Sequence, residues 1–129
     1  MQENQLFEYA VIRVVPKVER EEFLNVGVIL LCAKQKFLQA RIELNEERLL
    51  ALSNDVEIAN LKKYIHSFEL ICEGGPKGGT IGKLSLAERF RWLTASRSTI
   101  LQTSKVHPGL CADANEMLDR LFVQLVQCT

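Results

Sequence analysis

The sequence predicts an α+β domain, a mostly antiparallel sheet of about four strands with helices packed on it. Three observations lead there. The first third of the chain reads as strands, two of them apolar on both faces and one cleanly alternating. Later segments carry apolar residues three and four apart behind capping residues. At 129 residues, 47% hydrophobic and 25% charged, the chain suits one domain, 1–129, whose core needs neither disulfide nor metal.

Leu6 to Val15 is rich in aromatic and β-branched residues and apolar on both faces, as a strand in the middle of a sheet must be. Arg13 interrupts one face near the strand's end, where a guanidinium needs a carboxylate, carbonyls or a ligand to offset its desolvation. Pro16 stops the strand and a charged link, Lys17 to Glu22, follows. Asn25 and Gly27 frame the entry to a second strand, Val26 to Ala33, which holds the most apolar run in the chain. Gly27 implies a bulge or a close backbone approach, and Asn25 can fix a turn by bonding locally. After Lys34-Gln35-Lys36, Phe37 to Leu44 alternates, with Leu38, Ala40, Ile42 and Leu44 inward and Gln39, Arg41 and Glu43 outward. Strands two and three are expected to form a hairpin.

Asn45 caps a short helix with Glu46 and Glu47 in its first turn, where the dipole favours anions. Asn54 and Glu57 have capping-box spacing for a helix from Asp55 to about Cys72, with Ile58, Leu61, Ile65, Phe68 and Cys72 on its core stripe. The segment Glu73 to Lys83 holds five of the seven glycines but departs from the phosphate-loop pattern, with Lys77 and Leu84 at required positions, and reads as a mobile loop. Ser85 and Glu88 box a helix to about Leu93 that buries Phe90 and either Trp92 or Leu93. A polar corner, Thr94 to Thr99, leads into a fourth strand, Ile100 to Val106, and His107-Pro108-Gly109 reads as a turn. Asp113 and Glu116 begin the last helix, with Leu118, Leu121, Phe122 and Leu125 inward.

Formal net charge is zero, which argues against a broadly cationic nucleic-acid binder. Between Pro76 and His107, however, six basic residues stand against Glu88 alone, net +5, and leave the remainder at −5. Cys32, Cys72, Cys111 and Cys128 lack paired metal or redox spacing, and His107, Cys111 and Asp113 are too sparse for a metal site. Free, mostly buried thiols are expected, no cofactor is implied, and the absence of a signal-like or membrane-length apolar block points to the cytoplasm.

Tyr9 to Pro16, Glu22 to Val28, Phe90 to Ser98, Ile100-Leu101-Gln102 and Leu118 to Phe122 together resemble the bacterial family of domain of unknown function 3037, over nearly the whole chain. The resemblance implies a small bacterial protein without established activity, and a HipA-like kinase as a regulatory partner. The residues themselves show no nucleophile with its base, so catalytic residues are not assigned. The expected function is a non-enzymatic regulatory or interaction module, with homo-oligomers allowed. The alternative is an anionic-ligand binder or enzyme drawing on Arg13, Glu22, Asn25, Gly27, Arg97 and Gln102, the arginines holding an anion by paired bonds. Nucleic-acid binding through Arg89, Arg91 and Arg97 lacks interleaved aromatics.

Overall fold

The computed structural model describes residues 4–127. Strands β1 (Gln5–Val14), β2 (Leu24–Cys32), β3 (Phe37–Ile42), β4 (Leu101–Thr103) and β5 (His107–Cys111) form one antiparallel sheet. The hairpin β2–β3 lies to one side of β1, while β4 and β5 share its other edge. Helices α1 (Glu46–Leu52), α2 (Ile58–Glu73), α3 (Gly79–Gly82), α4 (Leu86–Leu93) and α5 (Ala114–Phe122) complete the chain.

Both sheet faces are covered, which is why β1 and β2 are apolar on both. Ala10, Ile12, Val14, Ile29 and Leu31 pack against Leu49 of α1, Leu61, Ile65 and Phe68 of α2, and Phe90 and Leu93 of α4. Phe7, Val28, Leu30 and Cys32 pack against Ala114, Leu118 and Leu121 of α5. Each fully buried aliphatic side chain contributes about 1.5–3 kcal/mol through removal from water, so these two layers drive the fold.

Gly27 meets both conditions anticipated for it. Ile12 faces Gly27 but Arg13 faces Asn25, leaving Val26 as the extra residue of a bulge. A Cβ on Gly27 would lie 2.5 Å from the Arg41 carbonyl oxygen on β3.

The far edge of the sheet corrects the expected fourth strand and turn. Ile12 faces Thr103 and Tyr9 faces His107, so three steps along β1 match four along its neighbour. At this dislocation buried Ser104 replaces a backbone partner: its Oγ accepts the Val11 N–H at 2.8 Å, and its own N–H donates to the Val11 carbonyl at 2.8 Å. The edge strand therefore breaks at Ser104 and resumes through His107-Pro108-Gly109 as β5. Pro108 is tolerated because an edge strand need not donate on both sides. Gly109 is needed because a Cβ there would lie 2.5 Å from the Phe7 ring.

Two further expectations change and one alternative is resolved. The capping box at Asn54 does not form; α2 starts at Ile58 after Glu57, which makes no side-chain cap. The segment ahead of it is instead a turn in which the Ser53 hydroxyl donates to Asp55, whose carboxylate also meets Lys17 at 3.7 Å. That hydroxyl, and after it Lys17, holds the Asp55 carboxyl below its usual range. The glycine-rich segment is folded rather than a simple loop, with a 3-10 turn at Pro76–Gly78, then α3, closed by a 2.8 Å bond from the Gly75 N–H to the Gly82 carbonyl. Of the alternatives Trp92 and Leu93, Leu93 is buried and Trp92 exposed. Asn45 accepts from the Arg48 N–H and Ser85 and Glu88 make a reciprocal box, as read, while the box expected of Asp113 and Glu116 forms only by half, Asp113 accepting from the Asn115 and Glu116 N–H groups.

Cys32, Cys72 and Cys111 are free and buried, and Cys128 lies outside the described residues. Burial pushes the Cys72 thiol up to about 12. At about pH 8 it is therefore protonated and unreactive, and alkylation of the native protein is expected to spare Cys72 until it unfolds; native labelling within minutes would contradict this packing. Gly27→Ala is expected to lower stability by about 2 kcal/mol or more in urea titrations, because backbone must move. An unchanged midpoint would show that β3 yields freely.

Candidate binding groove

α2, the end of α4, the corner after it and β4 enclose a groove of about 200 Å³. Tyr64, Phe68 and Ile71 come from α2, Trp92 and Leu93 from α4, and Leu101 and Thr103 from β4. Tyr64 is 55% and Trp92 40% exposed, so two large rings flank an opening whose deeper lining, Phe68, Leu93 and Leu101 among it, is apolar. Arg97 is the one charged residue of the lining, its guanidinium 4.0 Å above the centre of the Trp92 ring, with Nη2 donating to the Trp92 carbonyl. Among the described residues Arg97 pairs with no carboxylate. Partial burial lowers its pKa, so the guanidinium stands incompletely solvated at the wall of an apolar groove.

Two of the hydroxyls in the corner around Arg97 are turned to the backbone rather than toward a shared anion. Thr94 Oγ1 donates to the Phe90 carbonyl and Thr99 Oγ1 to the Leu101 carbonyl, each at 2.8 Å, and Gln102 Nε2 donates to the Thr99 carbonyl at 2.8 Å. Gln102 lines the groove, but its amide is committed to holding the corner that presents Arg97.

The structure brings three of the other named residues together elsewhere. Asn25, Arg13 and Gln102 stand opposite one another on β2, β1 and β4, one row across three strands. Period two puts Arg13 on the Phe7 face, opposite the face that carries α2 and α4. Its guanidinium lies 4.0 Å from the centre of the exposed Phe23 ring. Asn25 Nδ2 donates to the Leu125 carbonyl at 3.1 Å, where the chain leaves α5 in a wide π-type turn, Val123–Gln127. Arg13 Nε and Asn25 Oδ1 are buried without a protein partner. A depression of about 240 Å³ beside them is bordered by Phe23, Asn25, Arg48 and Leu125. Glu22 lies apart, ion-paired with Arg20, and Gly27 is a backbone device. The pocket imagined around Arg13, Asn25 and Arg97 is thus two places.

The match to a family model runs over residues 9–126, with the description protein of unknown function (DUF3037). The chain belongs to the DUF3037 family. Comparison with curated proteins and with solved structures yields no match. In this DUF3037 chain the two residues that sequence reading missed are Tyr64 and Trp92. Tyr64 flanks the core stripe of α2, with Phe68 and Ile71 four and seven residues on, and that second stripe was the available signal.

Arg89, named above with Arg91 and Arg97 as a possible nucleic-acid contact, is only 8% exposed. It donates from Nη1 to the Leu84 carbonyl at 2.7 Å and from Nη2 to the Cys72 carbonyl at 3.4 Å, so it holds the last turn of α2, where a cation suits the dipole. A Cβ on Gly74 would lie 2.8 Å from its Cζ, which ties one glycine of the folded segment to this cation. Arg89 is unavailable to a nucleic acid.

Asn25→Ala is expected to cost about 1–2 kcal/mol through the lost bond to Leu125, and to speed amide exchange over residues 123–127. If exchange there stays slow, Asn25 does not anchor that turn.

Proposed function

We propose that this protein is a non-enzymatic, cytoplasmic interaction module that regulates a partner protein by gripping it in the groove between Tyr64 and Trp92. One observation carries the reading: an apolar groove flanked by two exposed aromatic rings, with an unpaired, partly desolvated Arg97 in its wall. Trp, Tyr and Arg are the residues that dominate binding energy at protein interfaces. A volume of about 200 Å³ falls below the roughly 300–1,000 Å³ common for small-molecule sites, and suits one or two side chains of a partner. The chemistry selects an apolar anchor next to an acidic group, and the excess of basic residues between Pro76 and His107 favours the same acidic partner.

The HipA-like kinase implied by the family resemblance is the partner to try first. Co-expression is expected to yield a stoichiometric complex. Trp92→Ala and Arg97→Ala are each expected to weaken it at least about tenfold while the melting temperature of the free protein holds. No complex, or a complex indifferent to both changes, would count against this assignment.

A second reading rests on Asn25 and Arg13, paired across β2 and β1. Asn25, its Oδ1 unpartnered, and Arg48 border the depression, and Arg13, stacked on the Phe23 that also borders it, keeps an unpartnered Nε on the cationic side of a site for a small anionic or hydroxylated ligand. Arg13→Ala separates the readings, since it leaves the kinase complex intact if the groove is the contact.

A further inference from the structure

The end of β1 remote from the groove carries a separate exposed surface. Leu6 and Glu8 share the face lined further along by Ala10, Ile12 and Val14, and Leu110 and Pro108 of β5 stand directly opposite them. The helical layer packs on Ala10 to Val14 and stops short of this end, leaving Leu6 59% and Leu110 62% exposed. Beside the pair lies a depression of about 350 Å³, bordered by Leu6, Leu31 and Ala33, with Glu8 and Lys34 among its lining residues. Neither charge is ion-paired with another described residue.

We propose that this face binds a second copy of the chain about a two-fold axis. Leu110 of each copy seats in the depression of the other, and Glu8 of each meets Lys34 of its partner. A two-fold contact must be complementary to itself, since the same patch serves both sides. This patch holds a projecting apolar side chain beside a hollow, and an unpaired anion and an unpaired cation around that hollow. A different protein would need only the complement of such a surface, and nothing would require both members of each pair on one side. Packing face to face is favoured over edge pairing, because Pro108 removes a donor from β5. The exposed apolar core is small beside the roughly 800 Å² per partner of a stable interface, so association is concentration-dependent. The groove borders β4, which pairs with Ile12 to Val14 at the other end of β1, and stays open in the dimer.

Sedimentation velocity between about 1 and about 200 μM brackets a micromolar equilibrium. The wild-type protein is expected to pass from monomer to dimer across that range, and Leu110→Asp to remain monomeric. Glu8→Lys and Lys34→Glu are each expected to weaken association at least about tenfold, and the two together to restore it to within about threefold of wild type. Circular dichroism checks folding, and if Leu110→Asp unfolds, the charge exchange decides. A wild-type monomer throughout, or a double variant as weak as the single ones, overturns the proposal. Kinase binding by a monomer would leave the groove assignment standing while removing this one.

Discussion

The burial of β1 on both faces and both edges is the constraint on which the rest depends. It pairs with β2 on one side and with β4 and β5 on the other, and it faces helical layers above and below. A strand in that position can carry no uncompensated polar backbone, so every irregularity around it is answered by a specific residue. Val26 is accommodated as a bulge opposite Ile12 and Arg13, Gly27 lets β3 approach, and the Ser104 hydroxyl supplies the acceptor that the interrupted edge strand cannot.

Polar residues between distant elements then lock the layers. Gln35, in the turn between β2 and β3, donates to the Ala112 carbonyl and accepts the Ala114 N–H, each at 2.9 Å, and so pins the start of α5 to the sheet. Asn25 pins the other end of that helical segment through Leu125. Arg41 meets Asp119 at 2.6 Å, though this exposed pair contributes little beside the buried layers. On the opposite face Arg89 fastens the end of α2 and the glycine-rich segment to α4. Arg97, by contrast, reaches only the Trp92 carbonyl and ring among the described residues.

The groove owes its character to what the core does not absorb. α2 buries Leu61, Ile65, Phe68 and Cys72, and α4 buries Phe90 and Leu93, which turns Tyr64 and Trp92 outward on neighbouring helices. The stacked Arg97 adds charge that no carboxylate among the described residues neutralises. An apolar cleft with one partly buried cation in its wall is suited to recognition by shape and charge.

Strands β1 to β3, the helix faces and the caps at Asn45, Ser85 and Asp113 were legible in the chain, because period, propensity and capping act within a few residues. It also marked Gly27 as a backbone device and Arg13 as a guanidinium needing compensation. Tertiary structure alone decided whether Asn54 capped a helix, since Ser53 and Lys17 compete for the adjacent Asp55. It alone made His107-Pro108-Gly109 a strand, because that pairing depends on β1 and on the Phe7 ring. It placed Arg89 inside and divided Arg13 from Arg97, positions set by which face of the sheet each element reaches. Tyr64, Trp92 and Arg97 converge only when α2 packs beside α4 and β4, and a contact between segments so far apart in the chain leaves no local periodic trace.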